Sequence, residues 1–217
     1  MADKDSRSGA RYSTAELLKY VDELHAPHDA GLDAAFDAPG KNEMPAIQVG
    51  KSEGKFLELL LKISQARKVV EVGTLAGYSA IRMARALPPG GKVWTIEFDP
   101  RHAEVARKAI DTAGVSGKVE VLVGAGLDVL PSLEKHGPFD VVFIDADKEN
   151  YDGYGRWAAK NLRAGGLLLG DNAYLFGQLL EKDPRAEAMR RFHEEAAKAF
   201  DTTCIPTPDG LLLGIKR

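Results

Sequence analysis

The chain has 217 residues, of which 44% are hydrophobic and 28% charged, and its formal net charge is −3. This composition predicts one globular domain, and the small negative charge gives no support to a general nucleic-acid or membrane partner. The single cysteine, Cys204, excludes an intrachain disulfide framework and a cysteine-based zinc site.

The amino-terminal part, residues 1–43, is predicted to form a polar tail and a helical cover. Residues 1–12 are polar and lack the apolar core of a signal peptide, and no segment is apolar enough to span a bilayer, so we expect a soluble cytoplasmic protein. Residues 25–44 are rich in Asp, Ala, Gly and Pro and should form short helix and loop over the sheet or a partner subunit. Before them, Ser13 or Thr14 should cap a helix with an apolar face of Leu17, Leu18, Val21 and Leu24.

Residues 44–217 are predicted to form the main domain. Its first helix, at 52–64, should pack Phe56, Leu57, Leu60, Leu61 and Ile63 inward. Strands and helices then alternate. The predicted strands are 68–72, 93–97, 119–123, 139–145 and 167–169, and the predicted helices are 79–87, 100–113, 127–133, 151–162 and 184–200. Two strands, 202–205 and 211–215, would close the chain as a hairpin through PTPDG.

This alternation, with nearly unbroken apolar strands, predicts an α/β fold. We expect a Rossmann-like, doubly wound sheet that is mostly parallel and covered by helices on both faces. The carboxy-terminal hairpin should add an antiparallel strand at or near one edge.

The glycine turn in VVEVGTLAGYS, residues 69–79, predicts a small-molecule site. A pyrophosphate site requires G-x-G-x-x-G, whereas this chain has Glu71 directly before the Gly73 turn. That carboxylate would repel a diphosphate and suit an ammonium or sulfonium group. With Glu97 ending the next strand, the pattern predicts a nucleoside site without phosphates. Alternatively, Glu71 is a strand-end charge and the glycines only form a tight turn, and Glu97 alone is more often a solvated residue.

An acidic cluster is expected at the same edge of the sheet. Asp145 ends the strand FDVVFID, and Asp171 and Asn172 end GGLLLGDN. Hard oxygen donors on adjacent strands suit Mg²⁺, Mn²⁺ or Ca²⁺. Lys148 follows three residues after Asp145, where a neutral amine beside a bound cation could serve as a base. Taken singly, each residue is better explained as a helix cap, a turn residue or a solvated surface lysine.

Five stretches together resemble one family: VEVGTLAGYSA (70–80), TIEFDP (95–100), AGVSGKVEV (113–121), FDVVFIDADKENY (139–151) and GGLLLGDNAYLFG (165–177). The first is similar to the first motif of class I S-adenosylmethionine-dependent methyltransferases. The IDADK motif followed by GDN narrows the resemblance to the cation-dependent O-methyltransferases of bacterial type, the group that contains catechol and caffeoyl-coenzyme A O-methyltransferases. The similarity runs from about residue 44 to the end.

The resemblance implies roles for individual residues. Lys148 and Asp145 would be catalytic, with Lys148 as the general base, and Asp145, Asp171 and Asn172 would bind the metal. The first Asp of DAD, not Asp147, matches the ligand. S-adenosylmethionine would contact Val49, Glu71, Gly73, Thr74 and Asp145, with Ser79 at its carboxylate, Glu97 at its ribose, and Ala125 and Gly126 at its adenine.

The resemblance therefore implies a divalent-metal-dependent transfer of a methyl group from S-adenosylmethionine to a hydroxyl of a small ortho-dihydroxy aromatic compound. It also implies a homodimer. Side chains that could bracket the aromatic ring are Met44, Tyr151, Tyr174, Leu175 and Phe176, whereas the five histidines have no metal-ligand spacing and are assigned no role.

Two other functions stay open from the sequence. The first is a tRNA methyltransferase acting on a hydroxylated uridine, which needs a basic surface near the site. Its candidate basic pairs are Arg67-Lys68, Arg82-Arg85 and Arg190-Arg191. The second is a cofactor-binding scaffold without catalysis, against which the intact acidic cluster and Lys148 argue.

Overall fold

The computed structural model describes residues 4–7 and 12–217 of the chain, and helices and strands alternate along most of it. Three short 3₁₀ turns, Glu134–His136, Lys148–Asn150 and Leu175–Gly177, interrupt the connections. The strands are β1 (Lys68–Val72), β2 (Lys92–Glu97), β3 (Val119–Val123), β4 (Phe139–Ile144), β5 (Leu162–Gly170), β6 (Phe200–Ile205) and β7 (Leu211–Lys216). The helices are α1 (Lys4–Arg7), α2 (Ala15–His25), α3 (Ala30–Lys41), α4 (Lys51–Ile63), α5 (Tyr78–Ala86), α6 (Pro100–Thr112), α7 (Gly126–Leu133), α8 (Tyr151–Asn161) and α9 (Pro184–Ala199).

The strands form one seven-stranded sheet in the order β3-β2-β1-β4-β5-β7-β6. Strands β1 to β5 are parallel, whereas β7 pairs antiparallel with both β5 and β6. The predicted α/β fold and its antiparallel hairpin are therefore confirmed. The strand order reverses between β1 and β4, and ligands of open α/β sheets bind outside the carboxyl ends of the strands at such a switch point.

Two apolar cores lie on the two faces of the sheet. Because successive strand side chains point to opposite faces, Val70 joins the core under α7, α8 and α9, and Val69 joins the core under α3 to α6. In β4, likewise, Val142 lies in the core under α7, α8 and α9, and Val141 lies in the core under α3 to α6. Trp94 and Trp157 lie in the first core, as expected for buried aromatic residues. Burial on both faces explains why these strands read as nearly continuous apolar runs.

Side-chain caps start several helices where the sequence indicated. Of the two candidates for α2, Thr14 is the cap, and its hydroxyl accepts from the amide of Leu17 at 3.2 Å. Asp99 caps α6 and Asp183 caps α9, and each precedes a proline at the first helical position. Proline suits that position because its missing N–H would be unsatisfied there in any case.

The amino-terminal part differs from the prediction in two respects. The segment expected as short helix and loop contains the 12-residue helix α3, which buries Leu32 and Ala35 in the same core as α4. The apolar face of α2 is not buried in the single chain, since Leu17, Leu18 and Leu24 are about half exposed. Residues 1–3 and 8–11 of the predicted tail lie outside the described residues, and the boundary at residue 44 stays a prediction.

Two details of the main domain were predicted wrongly. Ile63 was expected inward but is 80% exposed, because Leu57 and Leu61 occupy the buried face of α4 and Ile63 lies about 200° around the helix from Leu61. Strand β5 begins at Leu162, five residues before the apolar run. An irregularity in its pairing with β4, near Gly165 and Gly166, interrupts the pattern without ending the strand. Among the described residues, no helix has the length and apolarity needed to cross a membrane.

Phe192 offers a test of the core under α8 and α9. Its ring contacts the backbone positions of Gly155 in α8 and Gly170 in β5, where an added Cβ would lie 2.7 and 2.8 Å from ring atoms. Phe192→Ala should therefore reduce the free energy of unfolding by about 3–5 kcal/mol, measured by urea denaturation. Phe98→Ala is the matched control, because that ring is 77% exposed and its loss should cost less than about 0.5 kcal/mol. Equal losses in the two variants would contradict this packing.

Candidate functional site

A cavity of about 810 Å³ opens at the carboxyl ends of the parallel strands. Two of the predicted site residues do not line it. Glu71 is buried beneath it, and Asp171 borders a small adjoining cavity with Val49 and Glu53. The predicted residues that do line the main cavity are Val49, Gly73, Thr74, Ser79, Glu97, Ala125, Gly126, Asp145, Lys148 and Asn172.

The glycine turn after β1 forms the centre of this cavity wall. Gly73 has a φ of +98°, and a Cβ at this position would lie 1.8 Å from the carbonyl oxygen of Asp145. Glycine is therefore required both for the backbone conformation and for the close approach of β1 to the end of β4. Gly77, with a φ of +85°, then precedes the first residue of α5. The turn thus brings the amino terminus of α5 and the end of β4 to one cavity.

Glu71 lies below this turn and not on the cavity wall. Its side chain is completely buried, and it accepts hydrogen bonds from the hydroxyls of Ser79 and, at 2.5 Å, of Thr95. Thr95 in turn contacts the hydroxyl of Thr74 at 2.5 Å. Strand alternation explains the placement, because Glu71 shares the face of Val69 and so points toward α5. The expectation that Glu71 faces a ligand ammonium group does not match this position.

Burial raises the pKa of Glu71 to about 8, and the negative charges of Asp145 and Glu97 add to the shift. The hydrogen bonds from Ser79 and Thr95 act in the opposite direction on the pKa but do not outweigh burial. At neutral pH the side chain is therefore mostly a neutral carboxylic acid.

Glu97, at the end of β2, has a different environment. Its Oε2 accepts from the amides of Thr74 at 3.2 Å and Leu75 at 2.8 Å, and its Oε1 accepts from the amide of Asp99 at 3.0 Å. The Nδ1 atom of His102 lies 3.6 Å from Oε1. Through its hydrogen bonds to Thr74 and Leu75, Glu97 holds the glycine turn in place while it borders the cavity.

The acidic residues at the ends of β4 and β5 lie side by side, as predicted. The amide of Asp145 donates to the carbonyl of Val72 at 2.8 Å, and the amide of Asp171 donates to the carbonyl of Ile144 at 2.9 Å. Burial raises the pKa of Asp171 to about 7, and the negative charges of Asp145 and Glu53 contribute to the shift. Two carboxylates thus share a mostly enclosed corner in which their repulsion is poorly screened.

Lys148 lies against this corner through two hydrogen bonds. Its Nζ donates to the hydroxyl of Tyr151 at 2.8 Å and to Oδ1 of Asp145 at 3.3 Å. The fully buried Tyr151 hydroxyl directs its own proton toward the backbone carbonyls of Asp171, at 2.8 Å, and Ile144, at 3.2 Å. Tyr151 therefore connects the lysine to the ends of both strands.

Metal-binding potential at this corner comes from a mixed donor set. Asp145 and Asp171 supply carboxylates, and Asn172 supplies an amide at a backbone φ of +52°. Within residues 4–7 and 12–217, no three His, Cys, Asp or Glu side chains cluster in a geometry that could hold a metal ion. The predicted set contains two carboxylates and one amide, and its role as a metal site stays a prediction.

Of the five side chains proposed as ring walls, Met44, Tyr151 and Leu175 are buried and Tyr174 is partly buried. Phe176 is 66% exposed and lines the cavity. Sequence reasoning missed other wall residues. Phe98 follows β2 directly, and His102 lies in the first turn of α6, so their position after a strand end was an available signal. Tyr154 was also missed, and its hydroxyl donates to Asp147 at 2.6 Å.

Comparison with known proteins points to one family. The sequence model of a family described as O-methyltransferase matches residues 28–217. The chain is 46% identical over 207 residues to a catechol O-methyltransferase of Mycobacterium tuberculosis, covering 91% of this chain and 94% of that protein. It is 42% identical over 208 residues to a catechol O-methyltransferase of Niastella koreensis, covering 90% of this chain and 94% of that protein.

Solved structures agree with the sequence matches. The O-methyltransferase TomG of Streptomyces achromogenes, involved in tomaymycin synthesis and solved in complex with S-adenosylmethionine, superposes with a TM-score of 0.89. It is 37% identical, and the match covers 93% of this chain and 96% of that chain.

Glu71 makes the stability of the protein dependent on pH. Its pKa of about 8 lies above the ordinary value of 4.5, so the folded state holds a proton that the unfolded state releases between these pH values. Wild-type stability should fall as pH rises through this window and level off above it. Glu71→Gln has no such proton. The free energy of unfolding of the variant minus that of the wild type should therefore increase by up to about 1.4 kcal/mol for each unit by which the pH rises.

Urea denaturation of both proteins at pH 5.5 and pH 8 measures the effect. A constant difference between the two proteins would show that Glu71 titrates normally in the folded state.

Proposed function

This chain belongs to the O-methyltransferase family and is an S-adenosylmethionine-dependent O-methyltransferase, and from that premise we propose that it methylates a catechol-type substrate with the help of a divalent cation. The observation that carries the proposal is the shared cavity. Gly73 and Ser79 of the glycine turn face the same space as Asp145, Lys148 and Asn172. A methyl donor held by the first group would thus lie beside an acceptor held by the second.

The cofactor side of the proposal uses the glycine turn and the neighbouring strand ends. Val49, Gly73, Thr74 and Ser79 would hold the methionine part, with Asp145 at its border, whereas Glu71 would act from beneath. Glu97 would accept hydrogen bonds from the ribose hydroxyls, since it ends β2 and lines the cavity. Ala125 and Gly126, at the start of α7, would contact the adenine.

The donor set at the ends of β4 and β5 suits a hard divalent cation such as Mg²⁺. Asp145, Asp171 and Asn172 offer only oxygen ligands, which Mg²⁺, Mn²⁺ and Ca²⁺ prefer. The repulsion between two neighbouring carboxylates in an enclosed corner is also what a cation would relieve. A bound cation would favour the ionised form of a phenol, whose pKa is otherwise about 10, and would orient two adjacent hydroxyls.

Lys148 is the proposed general base. As a neutral amine, its Nζ would accept the proton of the substrate hydroxyl, while Tyr151 and Asp145 keep the amine at the cavity wall. The methyl group would then pass from the sulfonium sulfur to the hydroxyl oxygen, breaking one S–C bond and forming one O–C bond. Holding both partners in one cavity supplies the proximity that this displacement needs.

Phe176 supports an aromatic acceptor. Its ring is exposed at the cavity rim, and its backbone has a φ of +53°, which non-glycine residues rarely adopt. The similarity to two proteins named catechol O-methyltransferase supports the proposal of a small ortho-dihydroxy substrate for this chain.

The alternative tRNA substrate receives less support from the arginines on which it depended. Arg82 is buried and paired with Glu58, and Arg85 is paired with Asp29. Arg191 is paired with Asp152. Cations that are already engaged within the chain contribute less to a phosphate-binding surface.

The proposed assembly is a homodimer acting in the cytoplasm. The half-exposed leucines on α2, Leu17, Leu18 and Leu24, support it, because a helix usually buries such a face against another element.

A methyl-transfer screen tests the proposed reaction. Catechols, flavonoids, caffeoyl esters and tRNA are offered with S-adenosylmethionine, in Mg²⁺ and in excess chelator. We expect methylation of ortho-dihydroxy compounds in Mg²⁺ and its loss in chelator, because the acceptor phenol is then not ionised or held. Full activity in chelator would contradict the metal mechanism, and turnover of tRNA in place of catechols would contradict the substrate.

Asp171→Asn separates the metal from the cofactor in the same assay. It should raise the Mg²⁺ concentration for half-maximal rate by at least about 10-fold, the loss seen when even outer-shell partners of a metal are removed. Binding of S-adenosylhomocysteine should be unchanged, because Asp171 does not line the main cavity. Asp201→Asn, at an exposed position in the edge strand β6, is the matched control.

Lys148→Met tests the proposed base. The variant should lower kcat by about 10²–10⁴-fold, the usual contribution of general acid–base catalysis, with unchanged S-adenosylhomocysteine binding. Lys160→Met is the control, because that amine pairs with Glu134 on the surface, away from the cavity wall. Undiminished kcat in Lys148→Met would remove Lys148 as the base and leave the cation as the cause of phenol ionisation.

A further inference from the structure

We propose that Glu71 is a positioning residue for the carboxylate of S-adenosylmethionine, and that it must carry a proton to do so. It would act through two hydroxyls, those of Ser79 and Thr74, which reach the cavity wall. The inference rests on the proposed placement of the methionine part at Ser79 and is independent of the acceptor substrate and of the metal.

The geometry is a chain of hydrogen bonds beneath the cavity. It runs from Ser79 to Glu71, from Glu71 to Thr95, and from Thr95 to Thr74. All four side chains are nearly or completely buried, with Ser79 the most exposed at 8%. Ser79 and Thr74, the ends of the chain, line the cavity, whereas Glu71 and Thr95 lie below it. The two ends are therefore the points at which the chain can meet a ligand.

Counting protons shows what the ionised form of Glu71 would do. A carboxylate only accepts hydrogen bonds, so Ser79 and Thr95 must both donate to it. Thr95 has then used its proton, and Thr74 must donate to Thr95. The three hydroxyl protons are consumed by the three hydrogen bonds. Ser79 and Thr74 would present lone pairs to the cavity, which repel an anionic ligand group.

A protonated Glu71 adds one proton to the same three hydrogen bonds. If the acid donates to Ser79, the Ser79 proton is released toward the cavity. If it donates to Thr95, then Thr95 donates to Thr74, and the Thr74 proton is released instead. In either case the spare proton emerges at an end of the chain, where it can be donated to a carboxylate. Protonation of Glu71 thus converts the cavity floor from an acceptor to a donor.

The charges around Glu71 favour this neutral form. Thr95 and Glu97 approach from β2, Asp145 from the end of β4, and Ser79 from α5. Both ionisable neighbours are acids, with His102 beside Glu97 and Lys148 beside Asp145. Burial and these acids hold the pKa of Glu71 at about 8, so the donor state is dominant at neutral pH. An ionised Glu71 would also place an anion in contact with the hydroxyl that receives the ligand carboxylate.

The test is the pH dependence of ligand affinity. Binding of S-adenosylhomocysteine is measured by calorimetry from pH 6.5 to pH 9.5 in EDTA, for wild type and for Glu71→Gln. The amide of glutamine donates one hydrogen bond and accepts another at every pH, so it reproduces the protonated acid. We expect equal affinities at pH 7. Above pH 8, wild-type affinity should fall by up to about 10-fold per pH unit relative to Glu71→Gln.

Two controls distinguish the titration of Glu71 from the titration of the ligand and from a purely structural role of Glu71. The amino group of the free ligand also titrates as the pH rises, but it does so equally in experiments with either protein, so the ratio of the two dissociation constants isolates Glu71. Methylthioadenosine shares the adenosine and the thioether but lacks the carboxylate, and the ratio of its affinities for the two proteins should not change with pH. A purely structural role for Glu71 would change the binding of both ligands alike.

Three outcomes would overturn the proposal. The first is a wild-type to Glu71→Gln ratio for S-adenosylhomocysteine that does not change with pH. The second is a pH-dependent ratio for methylthioadenosine, and the third is weakened binding at pH 7 by a Glu71→Gln protein that unfolds cooperatively. None of them depends on methyl transfer, so failure of the catechol or metal proposal would leave this test intact.

Discussion

The close approach of β1 to β4 at Gly73 is the constraint on which the site depends. A Cβ at Gly73 would lie 1.8 Å from the carbonyl oxygen of Asp145, so only glycine fits at this position. The amide of Gly73 also donates to the carbonyl of Ile96 at 2.9 Å, which holds the end of β2 beside this turn. Three strand ends are thus held together, and the polar residues that follow them must share one cavity.

Two glutamates near Gly73 have different roles because their surroundings differ. Glu97 accepts hydrogen bonds from three backbone amides and so holds the turn. Glu71 receives two hydroxyls in a fully buried position, and burial raises its pKa to about 8. A hydroxyl can reverse its direction and an amide cannot. The hydrogen-bond network of Glu71 can therefore adapt to a proton, whereas that of Glu97 is fixed.

One buried side chain, Tyr151, links Lys148 to the ends of β4 and β5. The buried hydroxyl of Tyr151 reaches the backbone of both strands and accepts from Lys148. The lysine is thereby held by the same framework that aligns Asp145 with Asp171. The proposed acceptor side of the cavity is built on the ends of two strands, and the proposed cofactor side is built on the turn after a third strand. Both sides consequently depend on the register of β1, β4 and β5.

Much of the fold and many of the site residues followed from the sequence, because the relevant rules are local. Apolar runs and their spacing locate strands and helices, and the carboxyl ends of parallel strands meet at one edge of a sheet. Gly73, Glu97, Asp145 and Asn172 reach the cavity for this reason, and Ser79 reaches it because the glycine turn starts α5 there. Phe98 and His102 also line the cavity and follow the end of β2, but that position alone does not distinguish a cavity residue from a solvated one.

What the tertiary structure decided is the surroundings of each side chain. Ile63 and the α2 leucines are apolar in the sequence yet exposed in the chain, because exposure depends on which neighbours cover a helix face. Arg82 resembles a surface cation in the sequence but lies buried against Glu58. Glu71 is the clearest case. The sequence determined that a carboxylate precedes the glycine turn, and the packing of α5 and β2 around it decided that this carboxylate is buried and largely protonated, because charge is disfavoured where water is excluded.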